Sequence, residues 1–298
     1  MKDQAEKLRE LMNRKIEHTT KRKAKVLAIT SGKGGVGKTN FALNLAISIK
    51  RLDYKVLILD ADFGLANIEI LTGINIKYTI ADLIVNDKKI HEIINEGPEG
   101  IKLISGGSGF HELSMMDKEN IDRLLEELGK LEDLMDFIII DTGAGVSNTV
   151  LDFVMAADEV ILVTTPDPTS IMDGYTVIKA LTTNGYKGKL NVITNIVTNR
   201  VEAFDTFDKL NRASQNFLKV DLDFLGYLER NSIVNNAVRN QTPFLQSNPS
   251  AGISKRINIM ALKFIDSNAD RDNNRGTSFA QKVIDLFLRR GGKDYGKK

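Results

Sequence analysis

The 298-residue chain contains no cysteine. Disulfides and thiolate-bound metals are therefore excluded. It also lacks any apolar run near the roughly 20 residues of a membrane-spanning helix. Its charged first residues do not make a secretory signal, so the expected location is the cytoplasm. Histidine is scarce, and His18, His91 and His111 stand at no ligand or catalytic spacing; they read as surface or packing residues. An excess of one charge is missing too. The 41 Lys and Arg against 39 Asp and Glu leave +2, which argues neither for nor against nucleic acid. The rest, 42% hydrophobic and 27% charged, is ordinary for a globular protein. The length suits one large α/β domain with appendages.

What is present is organised around Thr30-Ser31-Gly32-Lys33-Gly34-Gly35-Val36-Gly37-Lys38-Thr39, which fits G-x-x-x-x-G-K-[ST]. Glycines let the backbone curl so that its N–H groups converge on phosphate oxygens. The following helix adds the positive end of its dipole. Lys38 is expected at the β/γ-phosphates and Thr39 on Mg²⁺. Gly32, Lys33, Gly34, Gly35, Val36, Gly37 and Asn40 complete the expected ATP-binding stretch. The motif counts only between a strand and a helix. Lys25–Thr30 and Phe41–Ile49 supply those two flanks.

Further β-branched runs follow at residues 55–60, 101–104, 137–141, 160–164, 190–194 and 224–228. Continuous runs of this kind suit strands buried on both faces. Helical patterns between them, such as 120–134 and 169–181, supply right-handed crossovers. The expected fold is α/β: a doubly wound, mostly parallel sheet flanked by helices. Asp60 and Asp62 lie just past the second run, where ligands bind in such sheets. One carboxylate can hold a Mg²⁺ water while the other positions the attacking water. A turn or N-cap role is the competing reading for each of the two. Asp141 ends an apolar strand in the Walker-B manner, and Gly143 and Gly145 after it make a switch loop. Asn195 follows the sixth run. Its amide can satisfy both edges of adenine, or it can simply make a turn.

The two ends read as separate units. In residues 1–18, Asp3 and Glu6 have capping-box spacing, and Ala5, Leu8, Leu11 and Ile16 recur at helical spacing. Such a helix is marginal alone and needs a surface, its own domain or a partner. Residues 19–24 are a polar, basic linker, 25–266 the main domain and 267–276 a second polar linker. In 277–298, Phe279, Val283 and Phe287 form a stripe with Ile284 beside it, ahead of a cationic end. That suits a membrane surface, or a last helix packed on the sheet.

The order Lys33-Gly34-Gly35-Val36-Gly37-Lys38-Thr39 resembles the deviant P-loop of the MinD/ParA family of ATPases (SIMIBI-class NTPases). The resemblance implies that Lys33 crosses an ATP-dependent homodimer interface to the partner's nucleotide. It makes Lys33, Lys38 and Asp62 the hydrolytic residues, places Thr39, Asp60 and Asp141 around Mg²⁺, and sets Asn195 on adenine. Members that carry iron–sulfur clusters are excluded by the missing cysteines. ParA-type proteins have Asp-Pro-Gln-Gly where this chain has Asp62-Phe63-Gly64-Leu65-Ala66-Asn67, as MinD does. That argues against a DNA-associated partition ATPase. Asp3-Gln4-Ala5-Glu6-Lys7-Leu8-Arg9 resembles the activator motif of the flagellar, FlhG-type members. The implied partners are an FlhF-type GTPase stimulated through Gln4, flagellar switch (C-ring) components and an anionic membrane surface, with no specific nucleic acid. Division-site MinD, the remaining rival, lacks that first motif.

Overall fold

The apolar runs of the sequence become the strands of one sheet. The computed structural model describes residues 23–62, 67–107, 118–269 and 278–294, and only the backbone of residues 84, 118–122, 267–269 and 287–294. Gln4, most of the basic linker, most of 267–276 and the side chain of Phe287 lie outside the described residues. The strands are β1 (Lys25–Ser31), β2 (Val56–Ala61), β3 (Asn95–Glu96), β4 (Lys102–Ser105), β5 (Phe137–Ala144), β6 (Glu159–Thr164), β7 (Lys189–Val197) and β8 (Asp223–Glu229). They pair in the order β3-β4-β2-β5-β1-β6-β7-β8. Every pairing is parallel except β3 with β4. The seven expected runs are all strands. The two-residue β3 has no periodic run to announce it.

The helices described begin with α1 (Lys38–Lys50), α2 (Asn67–Thr72), α3 (Ile80–Val85), α4 (Ile90–Ile93), α5 (Lys118–Leu134) and α6 (Asn148–Ala156). They continue with α7 (Pro168–Thr183), α8 (Arg200–Leu218), α9 (Ser232–Arg239), α10 (Phe244–Ser247), α11 (Gly252–Ala269) and α12 (Phe279–Asp294). Alternate residues of the central strands enter separate cores on the two faces. Leu27, Ile29, Ile58 and Ile139 pack under α1 and α11. Ala28, Leu59, Ile140 and Val160 pack under α5 to α8 and α12. The β1 residues are all buried, as expected of a strand covered on both sides. The stripe Ile253, Ile257, Met260 and Phe264 of α11 is buried against α1 and β8.

Helix starts are written in local chemistry. Ser147, Asp167, Asn199 and Asn231 each accept a first-turn N–H with their side chains. Asp167 is followed by Pro168, whose fixed φ suits the first helical position. α1 starts differently. Its N-cap is Gly37, left-handed at φ 92° and without a side chain to offer. Its first N–H groups therefore stay open to an anion.

The last helix described takes the packed of the two positions open to its stripe. A detached membrane tail would leave its apolar stripe free. Instead α12 lies on α5 and α6, with Phe279, Val283 and Ile284 at most 4% exposed in the core of that face. Glu132 of α5 accepts the Ala280 N–H at 2.8 Å, at the N-terminal turn of α12. Lys282 reaches the Ala156 carbonyl and Asp158. The reason is that a 3.6-residue apolar stripe fits a protein core as well as a membrane surface.

Candidate functional site

The chain leaves β1 towards β2 on one side of the sheet and enters β6 on the other. β1 therefore stands at the switch point, where open α/β sheets hold their ligands. The loop after β1 is shaped by close approaches that only glycine permits. A Cβ on Gly32 would collide with the Asp173 backbone, and one on Gly37 would lie 2.5 Å from the Asn195 amide nitrogen. The Ser31 hydroxyl donates to the Lys33 carbonyl (2.7 Å) and accepts from Lys38 Nζ (3.0 Å). Gly145 N–H, from the loop after β5, donates to the Ser31 carbonyl at 2.8 Å. The P-loop and the expected switch loop are thus joined. Gly34 and Gly35 face open space, and Thr39 and Asn40 lie in the first turn of α1, half-buried.

Three carboxylates face this loop. Asp60 of β2 and Asp141 of β5 are register partners. Asp60 accepts the Asp62 N–H at 3.1 Å. Burial, with Asp141 beside it, pushes its carboxyl up to about 7. Asp141 is fully buried, and neither oxygen has a hydrogen-bond partner of good geometry. Burial lifts it to about 7, against the Thr39 hydroxyl and the Lys38 charge, which favour ionisation. Asp62 sits at the edge of the crevice. Its Oδ2 accepts from Asn67 Nδ2 at 2.8 Å, and its Oδ1 lies near Gly143. Lys38 is only 8% exposed, and burial lowers its ammonium pKa, opposed by Asp141 and Asp62.

The donor set fits Mg²⁺ with a bound phosphate. An orphaned buried carboxylate and a second one in register supply hard oxygen ligands, and Thr39 adds a hydroxyl. Among the described residues no three acidic or imidazole groups converge closely enough to hold a metal unaided. Phosphate oxygens and water would complete the shell, as is usual for Mg²⁺.

Two residues stand differently from expectation. Lys33 is held within its own chain. Its Nζ donates to Asp167 Oδ2 (2.9 Å) and Thr169 Oγ1 (2.8 Å) at the start of α7. The Lys33 bond, then those from Thr169, hold the Asp167 carboxyl down to about 2. Asn195 is tied to the loop rather than free: Nδ2 donates to the Val36 carbonyl (2.7 Å) and Oδ1 accepts the Ile196 N–H (2.9 Å). Each edge of the amide uses one of its two bonds, so one N–H and one lone pair remain for a base. Ile196, next to it, has φ 58°, a costly conformation for a β-branched residue.

Sequence reasoning missed Ser31, Asp167 and Thr169 as site residues. Asp167-Pro168 announces a helix start, but nothing local ties it to a lysine 134 residues earlier.

Residues 24–192 match the family model described as an AAA domain. The chain is 34% identical over 242 residues to the antiactivator FleN of Pseudomonas aeruginosa, covering 81% of this chain and 86% of that one. It is 38% identical over 266 residues to the flagellum site-determining protein YlxH of Helicobacter pylori, covering 88% and 90%. Its fold matches that of the septum site-determining protein MinD of Pyrococcus horikoshii, solved with Mg-ADP, at a TM-score of 0.64 and 23% identity, over 81% of this chain and 96% of that one.

Proposed function

Because the chain belongs to the MinD/ParA family of ATPases, in the FlhG-type branch that holds FleN and YlxH, we propose that it is a nucleotide-driven regulator of flagellar number or placement. It is an ATPase, converting ATP and water to ADP and phosphate. The open N–H groups of α1 and the desolvated Lys38 ammonium would receive the phosphate oxygens and stabilise the negative charge on them. Thr39, Asp60 and Asp141 would hold Mg²⁺, and the ion would supply positive charge against the phosphates. Asp62, kept in place by Asn67, orients the attacking water. Asn195 uses its spare N–H and lone pair on adenine.

Lys33 leaves Asp167 and Thr169 to reach the partner's phosphates in an ATP-dependent homodimer. The bridge it gives up is half-exposed, and exposed pairs are weak. The dimer exposes α12, so that Phe279, Val283, Ile284 and Phe287 meet an anionic membrane. Two linked copies then bind more strongly than one. No described helix is long and apolar enough to span a membrane. The first 18 residues act on an FlhF-type GTPase, with Gln4 orienting water in its active site. Flagellar switch components are further partners, and no specific nucleic acid is.

The observation that carries this reading is the conjunction of a lysine-bearing P-loop, three facing carboxylates and near-full-length likeness to FleN and YlxH. The test is GTP turnover by an FlhF-type GTPase with a peptide of residues 1–18. The peptide should raise turnover by about a hundredfold or more, the scale of a positioned catalytic group. Gln4→Ala should remove the effect, while Lys38→Ala in the full chain should not. A peptide without effect would withdraw the GTPase assignment and leave the ATPase standing.

A further inference from the structure

The sheet ends at β8, and beside that edge strand α8 and α11 border a cleft of about 250 Å³. Its floor is apolar and partly open to solvent: Phe204 is 39% and Ile259 52% exposed. The Phe224 ring packs 4.7 Å from Phe204 and 4.9 Å from Phe207, which holds the floor in shape. Three cations rim the cleft. Arg200 lies over the Phe204 ring (5.2 Å), Arg256 over Tyr227 (3.9 Å), and Lys263 donates to the Leu225 carbonyl at 2.7 Å. Among the described residues Arg200 and Lys263 form no ion pair, and Arg256 has Glu229 at 3.2 Å. None of these residues takes part in the phosphate site.

Several occupants are disfavoured. Strand addition meets a register shift between Phe224 and Gly226, and Lys263 already covers a carbonyl there. Both are devices that protect sheet edges. A second copy packed symmetrically would set the three cations against themselves. A cofactor needs more room, roughly 300–1,000 Å³. One large apolar side chain fits the volume and the aromatic floor, and the rim calls for carboxylates beside it. Arginine held over an aromatic ring is already oriented to grip a carboxylate with two parallel bonds.

We infer that the β8 cleft docks an acidic peptide segment of a partner protein, seated by a single phenylalanine- or leucine-sized anchor between carboxylates. The anchor displaces water from Phe204 and Ile259, and the flanking carboxylates pair with Arg200 and Lys263. An aromatic pocket with an arginine rim is the usual make-up of an interface hot spot.

The test is fluorescence anisotropy of the full chain with labelled peptides. The probe is Glu-Asp-Glu-Phe-Glu-Asp-Glu, compared with the same peptide carrying lysine for every acid, and with glycine for phenylalanine. The acidic phenylalanine peptide should bind at least about tenfold more tightly than either control, and more weakly as salt rises. Phe204→Ser and Lys263→Glu should each weaken it about tenfold or more, the loss expected at a hot spot. ATP turnover should not change, since neither residue touches the phosphate site. Lys263→Gln serves as a milder variant, and melting curves show that each variant is folded. No binding by the acidic peptide, equal binding of the basic one, or binding unmoved in the folded variants would each overturn the inference. So would phosphatidylglycerol vesicles that sediment the wild type but not Lys263→Glu, which would make the rim a lipid contact.

Discussion

Asp141 lies fully buried within β5, and neither oxygen has a hydrogen-bond partner of good geometry, an arrangement that is costly for a charged carboxylate. The cost has a direction in pH. Its ordinary value of 3.8 is raised to about 7, so the native state holds a proton that the unfolded chain gives up near pH 4. The resulting stability is complete below pH 4 and is lost as pH rises through 7. Asp141→Asn should therefore raise the melting temperature at pH 8, without nucleotide or Mg²⁺, by at least about 2–4 °C, the worth of 1 kcal/mol in a domain of this size. The gain should vanish at pH 4, and Mg²⁺-dependent turnover should be lost at both. A variant that melts lower at pH 8 would show that the carboxylate is satisfied in the fold. Lys38 is the complement: burial lowers its pKa, and a bound phosphate would restore its charge.

Among the elements, α1 and α12 are opposites. α1 is anchored along its length by Phe41, Leu45 and Ile49 and left open at its first turn. α12 has its first turn closed by Glu132, which also pairs with Lys23 at the end of the N-terminal linker. Burying Phe279, Val283 and Ile284 is worth roughly 1.5–3 kcal/mol each, so release of α12 from its groove needs several kcal/mol from the dimer and the membrane together. Loosening the clasp should shift that balance. Glu132→Ala leaves the Ala280 N–H unpaired, costs about 0.5–2 kcal/mol on the scale of lost caps, and should make the chain sediment with anionic vesicles even without ATP. A lower melting point with no gain in vesicle binding would mean that α12 is a fixed part of the core.

At the scale of the whole molecule, the phosphate crevice lies at the switch point beside β1, and Lys33 is tethered at its rim to α7. The homodimer proposed above requires that this tether break. In light scattering with Mg²⁺ and ATP, Lys33→Ala should remain monomeric while still binding nucleotide through Lys38. Asp167→Ala, which frees Lys33, should dimerise at a few-fold lower protein concentration; more is not expected from a half-exposed pair screened by water. Normal dimerisation of Lys33→Ala would end the proposal of a lysine shared between subunits.

Much of this was legible in the linear order of residues. The parallel sheet follows from continuous β-branched runs, because strands covered on both faces need apolar residues at every position. The phosphate loop and the three carboxylates follow from their places at strand ends, where the topology converges. Seven strands were visible for the same local reasons. What needed the tertiary structure was every partner distant in the chain. Asn195 on Val36, Lys33 on Asp167, and Asp60 beside Asp141 join segments tens to more than a hundred residues apart. The seat of α12 belongs to the same class. A hydrophobic stripe specifies that a helix must be covered, but its sequence is silent on whether lipid or α5 and α6 will cover it; the shape of the groove between those helices decides that.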